Sequence, residues 1–306
     1  MDPKPAARVL IVSPVFNEGA HLDRTAQAIA AQAVPPDRWF VVDDGSTDDT
    51  LAIARRWERE LPYLTVLQAD DGEDGRDRLA LAREARAFNQ ALRAAGWTDY
   101  DYIGKLDGDV ELPPAWFATL LARMEAEPDL GIGGGRLIEP LPAGWRMIAI
   151  PDHHVHGAVK LYRRECLQAI GGIPERLAWD SIDETYARMR GYRTLSLPEL
   201  VARHHRPWGS TDGRLRGKAR HGECAWILHQ GVLWTLMRCF KLATVSPYVL
   251  SGFAYFWGYA RAALRGVERV DDREFRRFVR RELRARARRF AQLRKIGPRR
   301  VVGWFE

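Results

Sequence analysis

The first hundred residues alternate short apolar runs with longer segments of helical character. Residues 9–12 are continuously apolar and end at Ser13-Pro14, which predicts a buried strand entering a loop. The alanine-rich stretch 20–33 predicts a helix that stops before Pro35-Pro36. Residues 39–42 predict a second strand, closed by Asp43-Asp44-Gly45-Ser46. Residues 47–60 follow as a helix with Asp48 and Asp49 near its first turn, where the helix dipole favours acids. Residues 64–67, 79–95 and 100–106 predict a third strand, a third helix and a fourth strand. Strand–helix alternation of this kind implies an α/β fold, a mostly parallel sheet flanked by helices. Ligands of such sheets bind beyond the carboxyl ends of the strands. The acidic clusters of this sequence fall at those ends.

The pattern becomes less regular from Pro113 onward. A helix is predicted over 116–125, then a glycine-rich segment 131–135, a strand over 155–162, and a segment 171–191 that opens on Gly171-Gly172. Gly133-Gly134-Gly135 lacks the Lys-Ser/Thr and the following helix of a phosphate loop. His153, His154 and His156 read as a polar loop rather than a metal site. The three cysteines, Cys166, Cys224 and Cys239, form no CxxC or paired spacing, which excludes a disulfide framework and a zinc finger and suits a reducing compartment. The N-terminus lacks the pattern of a signal peptide, so a cytoplasmic location is expected.

Charge divides the chain. Residues 261–300 hold sixteen Lys/Arg against five Asp/Glu, a surplus of eleven positive charges in a chain whose net charge is +7. The remainder is therefore mildly acidic, and the tail alone seeks anionic surfaces. Residues 242–260 carry no charge and include Tyr248, Phe253, Tyr255, Phe256, Trp257 and Tyr259. Pro247, Gly252 and Gly258 make this a poor spanning helix; a re-entrant or interfacial helix and a buried hydrophobic helix are the two readings. Trp226, Trp234 and Trp257 are read as core or membrane-facing. In 271–296, Phe275, Val279, Leu283, Phe290 and Leu293 recur near helical spacing with arginines opposite, a pattern of membrane-surface helices. Base-reading side chains are lacking on that helix, so an anionic membrane surface is expected as its partner and nucleic acid is not.

Asp107-Gly108-Asp109 follows the fourth strand. Two carboxylates one residue apart can face one cation, and the glycine between them admits close backbone approach. Oxygen ligands of this type suit Mg²⁺ or Mn²⁺, which complete their shells with substrate phosphate. Asp-Gly-Asp is also an ordinary turn. Its weight comes from the two elements that precede it, Pro14-Val15-Phe16-Asn17-Glu18 after the first strand and Val41-Val42-Asp43-Asp44-Gly45-Ser46-Thr47-Asp48 after the second. In order, spacing and strand context over the first 110 residues, these motifs resemble the family-two glycosyltransferases, whose nucleotide-binding half has the GT-A fold.

That resemblance implies an inverting transferase that moves a sugar from a nucleotide-diphosphate donor to a hydroxyl, on a lipid-linked or saccharide acceptor. It assigns base reading to Asp44 with Asp43 as neighbour, and nucleotide contacts to Pro14, Phe16 and Glu18. Asp109 becomes the direct metal ligand, with Asp107 reaching the ribose or the metal through water. Gly157-Ala158 and Tyr162-Arg163-Arg164 resemble the acceptor-side strand and turn, and Trp179-Asp180-Ser181-Ile182-Asp183-Glu184 the helix bearing the catalytic base. The usual Glu-Asp pair is missing there. Asp183 and Asp180 are the two candidates, with Asp183 preferred as pointing into the cleft and Asp180 as a helix N-cap. His204 or His205 would add a third metal contact and Arg206 a diphosphate contact. Neighbours in an extended segment point opposite ways, so one histidine of the pair faces the metal.

The expected organisation is a GT-A catalytic domain over 1–215, with a nucleotide-binding half (1–110) and an acceptor half (111–215), then a helical basic extension over 216–306 that attaches to the inner face of the cell membrane. A nucleotidyltransferase on a related scaffold would need a glycine-rich basic loop after the first strand, which Pro14–Glu18 does not supply. An inactive membrane-bound scaffold is the non-enzymatic alternative.

Overall fold

The computed structural model describes residues 7–70, 80–206, 213–244 and 247–294. The chain divides into two compact units, 1–206 and 207–306.

In the first unit the strands are β1 (Val9–Val15), β2 (Arg38–Asp43), β3 (Leu64–Gln68), β4 (Tyr102–Leu106), β5 (Val110–Glu111), β6 (Leu130–Leu141), β7 (Gly144–Met147), β8 (Val159–Arg163) and β9 (Arg193–His204). They form one sheet in the order β3-β2-β1-β4-β8-β6-β9-β5, with β7 paired to β6. The strands β3, β2, β1 and β4 run parallel. From β4 onward the sheet is mixed: β8 is antiparallel to both β4 and β6, and β9 is parallel to β6. The continuous run of parallel strands thus lies within residues 9–106.

The helices are α1 (Leu22–Ala30), α2 (Thr50–Glu60), α3 (Arg83–Ala95), α4 (Trp116–Ala126), α5 (Arg164–Ala169) and α6 (Trp179–Met189). Successive residues of a strand serve opposite faces, and β1 feeds two cores accordingly. Val9 and Ile11 join Leu22, Ile29, Ala54 and Leu120 on one side. Leu10 and Val12 join Phe88, Leu92, Leu167 and Trp179 on the other. Burial on both faces explains why these strands read as unbroken apolar runs.

The glycine-rich segment 131–135 lies inside β6 rather than in a loop. Its glycines are required by packing. A Cβ on Gly134 would lie 2.6 Å from the Val159 carbonyl oxygen, and one on Gly135 would lie 2.5 Å from that of Leu200 and 2.4 Å from the Trp116 ring.

Where β4, β8 and α6 meet, polar groups are buried in a connected set. Lys160 on β8 is fully enclosed; its Nζ donates to both oxygens of Asp183 at 2.9 Å and to the Asp180 carbonyl. Tyr162 donates its hydroxyl to the same carboxylate. Glu184 lies 3.2 Å from Lys160 Nζ, accepts the Val155 N–H at 2.7 Å and meets His154 Nδ1 at 2.9 Å. His154 is therefore tied into this set rather than standing in a simple polar loop. Burial alone would raise the Glu184 carboxyl, but the charges of His154 and Lys160 hold it down at about 2. For Asp183, burial outweighs Lys160 and pushes the carboxyl up to about 7.

The second unit contains α7 (Arg214–Ile227), α8 (Val232–Leu242), α9 (Val249–Leu264) and α10 (Arg273–Arg294). Backbones approach closely where glycines allow it: a Cβ on Gly258 would lie 1.7 Å from the Ala219 carbonyl oxygen, and one on Gly252 2.4 Å from that of Cys239. Residues 242–260 thus resolve into the end of α8, a connection and most of α9, whose Tyr255, Tyr259 and Ala262 are buried. Among the described residues no helix is long and apolar enough to cross a membrane. Phe275 and Val279 of α10 are buried, so these two residues are not offered to a surface. The side chains of Phe290 and Leu293 lie outside the described residues.

Two outcomes follow from this packing. Gly135→Ala should lower unfolding free energy by about 2–3 kcal/mol, because carbonyl and indole ring have no free space into which to yield; urea unfolding that matches the parent would contradict it. Glu184 has a folded-state value below its unfolded value of 4.5. Its contribution is complete above pH 4.5 and drains away as pH falls toward 2, an effect of about 3 kcal/mol. The stability difference between parent and Glu184→Gln should therefore shrink by that amount between pH 5 and pH 2, and a constant difference would contradict the ion-pair account.

Candidate active site

The loops leaving β1 and β2 are knitted to each other before any ligand is considered. Asn17 adopts φ 53°, and its side-chain oxygen accepts the Thr47 N–H at 2.8 Å while its own N–H donates to Ser46 Oγ at 3.0 Å. The Glu18 N–H donates to Thr50 Oγ1 at 2.7 Å, and the Gly19 N–H to Asp48 Oδ2 at 3.0 Å. Asp48 also accepts the Thr50 N–H and so covers the start of α2. Asp43 accepts the Ser46 N–H across a turn that Gly45 closes at φ 76°. Pro14 and Phe16 are half-buried at the end of β1.

Asp44 is buried, and Arg83 grips it: Nε donates to both carboxylate oxygens at 3.0 Å and Nη2 to one of them at 2.6 Å. The sequence reading missed Arg83. It opens α3, where the helix dipole disfavours a cation, and that misplacement is the signal that marks it.

Asp107 and Asp109 flank the step from β4 to β5. Gly108 is dictated by packing as well as by access, since a Cβ there would lie 2.7 Å from Val15 Cγ1 and 3.2 Å from Glu18 Cγ. Lys105, buried in β4, donates to Asp107 and lies 3.7 Å from Glu84. Burial opposes its charge, yet Asp107 and Glu84 hold the ammonium well above its ordinary value. A lysine inside an otherwise apolar central strand was legible as an anomaly; the same holds for Lys160.

Pairing of β5 with β9 sets Val110 opposite His204. This brings His204 Nε2 to 3.3 Å from Asp109 Oδ1. His205 faces elsewhere: its Nε2 meets Glu111 at 2.8 Å and its ring stacks on His21 at 5.9 Å. The alternation expected for the two histidines is observed. Arg206 donates to Glu18 at 2.6 Å and to the Asn17 carbonyl at 3.0 Å, with its Nε 3.9 Å from Asp109. His21, also missed from sequence, is drawn into the site by the turn that follows Glu18; burial lowers its pKa against the opposing pull of Asp109.

Asp107, Asp109 and His204 each offer a ligand atom within 4.8 Å of the others. Asp109 Oδ1 and His204 Nδ1 are buried without a well-formed hydrogen bond, although Asp109 Oδ1 lies 3.3 Å from His204 Nε2. Burial, followed by the charge of Asp109, pushes Glu18 up to about 8. Asp109 itself lies below its ordinary value, because His204 and Arg206 outweigh its burial. Crowded acids with an unshared buried oxygen and a histidine fit a divalent cation, whose charge would relieve that crowding.

The two candidate bases separate clearly. Asp183, preferred on sequence grounds, is fully enclosed by Lys160 and Tyr162 and does not point into a cleft. Asp180 remains partly exposed. It stands in the first turn of α6 and is not its N-cap, a place taken by Ala178 at φ 69°. Its neighbour Trp179 donates to Glu84 at 2.8 Å, with its ring centroid 5.3 Å from Lys105 Nζ and 5.4 Å from Lys160 Nζ. Asp180 is thereby tied to the lysine that holds Asp107.

Comparison with known proteins agrees with this geometry. The family model described as glycosyl transferase family 2 matches residues 10–171, more than half of the chain. Over 127 residues the chain is 33% identical to the hyaluronan synthase of Pasteurella multocida, covering 41% of this chain and 12% of that protein. It is 27% identical over 191 residues to the dodecaprenyl-phosphate galacturonate synthase of Rhizobium johnstonii, covering 55% and 52%. The chain thus spans at most about half the length of these two relatives. A mannosyltransferase from Pyrobaculum calidifontis, solved with GDP-Man and Mn²⁺, shares the fold at a TM-score of 0.56 and 22% identity, covering 86% of this chain and 75% of that one. Matching family, sheet order and the acids at the strand ends together make this chain a member of glycosyltransferase family two, built on the GT-A fold.

Proposed function

We propose that the chain transfers a sugar from a nucleotide-diphosphate donor to a hydroxyl acceptor with inversion, in polysaccharide or glycolipid synthesis. The observation that carries this is the convergence of Asp107, Asp109 and His204 within 4.8 Å, with Asp109 Oδ1 buried and lacking a well-formed hydrogen bond. These three would hold Mg²⁺ or Mn²⁺; the Mn²⁺ and GDP-Man of the related mannosyltransferase favour that reading. When bound, the cation supplies charge neutralisation for the departing nucleoside diphosphate.

The residues of the chain do the rest. Asp44 lines the base side of the donor with Arg83 gripping it, and Asp43, Pro14, Phe16 and Glu18 frame the nucleotide. Arg206, already 3.9 Å from Asp109, adds positive charge where the diphosphate leaves. Asp180 takes the proton of the acceptor hydroxyl as that oxygen bonds to the anomeric carbon and the bond from that carbon to the diphosphate breaks. Lys160 and Trp179 fix the first turn of α6, and Asp183 acts as the buried counter-charge of Lys160. Accessibility favours Asp180, because a general base must reach its substrate within hydrogen-bond distance.

The names of the relatives span a polysaccharide and a polyprenyl-phosphate product, so a saccharide or lipid-linked acceptor is proposed. The cationic surplus of the C-terminal unit fits action at an anionic membrane, at the inner face of the cell membrane.

Calorimetry with a panel of nucleoside diphosphates should find one nucleotide whose affinity rises on adding Mn²⁺, with Asp109→Ala abolishing that rise. Nucleotide affinity indifferent to both the metal and Asp109 would contradict the site. Asp180→Asn should lower kcat by about 10²–10⁴-fold while leaving nucleotide affinity intact. Asp183→Asn should chiefly lower the melting temperature. Full turnover in Asp180→Asn would remove it as the base.

A further inference from the structure

Among the described residues of the second unit, one side of α8 and of α9 is exposed. On α8, Leu233, Leu236 and Phe240 are exposed at spacings of three and four; on α9, Leu250, Phe253, Trp257 and Leu264 continue at three, four and seven. Such spacings set each group on one helix face. The exposures are large for apolar groups: Phe240 77%, Val249 72%, Phe253 64% and Trp257 52%. The opposite side of α9, with Ser251, Gly252, Tyr255, Gly258, Tyr259 and Ala262, is the buried one. Among the described residues α9 is thus amphipathic, with small residues and two tyrosines on its buried side and large apolar side chains on its exposed side.

Charge identifies the occupant. Residues 224–267 contain no Asp or Glu, while Arg238, Lys241, Arg261 and Arg265 lie within them. Arg261 and Arg265 follow Trp257 at intervals of four, so the apolar stripe of α9 ends in exposed arginines on the same side. A second copy of the chain seated on this face would bring cation against cation across a symmetric contact. An anionic bilayer presents acyl chains to the apolar stripe and lipid phosphates to the arginines, which keep their heads in water as their stems lie along apolar surface. Exposed Trp257 and Tyr248 suit the boundary between the two.

We propose that the exposed α8–α9 face is an interfacial docking surface for an anionic phospholipid bilayer, and that it, rather than the apolar stripe of α10, is the principal anchor. This rests on the membrane reading given above. Of the apolar positions of α10, Phe275 and Val279 are buried and contribute nothing to such a face.

Flotation of the full chain with vesicles of phosphatidylcholine, with and without phosphatidylglycerol, tests it. The parent chain should float with the anionic vesicles. Phe240→Ser/Phe253→Ser should weaken partitioning at least tenfold, and Arg261→Glu/Arg265→Glu should abolish the preference for phosphatidylglycerol. Both variants change exposed positions, and unaltered Mn²⁺-dependent nucleotide binding would show that they remain folded. Bromine on the lipid acyl chains should quench part of the fluorescence, and Trp257→Phe should remove most of that part. Parent flotation with undiminished flotation of Phe240→Ser/Phe253→Ser would overturn this anchor and leave the membrane reading to α10. No flotation of the parent would defeat both. A parent dimer that the serine variant converts to a monomer, with vesicle binding unchanged, would assign the face to a second copy.

Discussion

Two buried lysines organise the first unit. Lys105 in β4 and Lys160 in β8 lie on strands paired in antiparallel register, directly opposite each other, and both are enclosed. An isolated ammonium in such a place would be strongly unfavourable. Each is accommodated because acids converge on it: Asp107 and Glu84 on Lys105, Asp183 and Glu184 on Lys160. The Trp179 ring lies near both. The first acid of the Asp-Gly-Asp turn and the first turn of α6 are therefore fixed by the same seam. The Asp-Gly-Asp turn and α6 are registered to each other through charge.

Much of this fold was legible because its first four strands are buried on both faces. Continuous apolar runs separated by alanine-rich helices leave little freedom in such a chain, and the acids at the strand ends mark the edge where ligands bind. The glycine-rich segment 131–135 was harder to read. Its glycines signal the close approach of Val155, Val159, Trp116 and Leu200, contacts that sequence spacing does not encode. The same limit applies to Asp183. Helical periodicity puts Asp180 and Asp183 near one face, but only the position of Lys160 on a neighbouring strand decides which of them is consumed as a counter-charge. Arg83 and His21 entered the site through tertiary contacts, although the cation at a helix N-terminus was a visible irregularity.

In the C-terminal unit a periodic apolar pattern serves the interior as well as the outside. The heptad-like apolar positions of α10 are real, yet two of them, Phe275 and Val279, fill the unit's own interior. The uncharged stretch 242–260 was read as either membrane-facing or buried. It divides by side: α9 buries its small residues and two tyrosines while exposing Phe253 and Trp257. Glycines at 252 and 258, which argue against a spanning helix, instead allow neighbouring helix backbones to come close.

The account stands on one cation position, framed by Asp107, Asp109 and His204. Crystals grown with Mn²⁺ and the nucleoside diphosphate that binds best, with data collected at the manganese absorption edge, examine it directly. The account predicts one strong anomalous peak in contact with Asp109 and His204 and with the diphosphate oxygens. A peak elsewhere, or a diphosphate bound at the strand ends with no manganese beside Asp109, would contradict it.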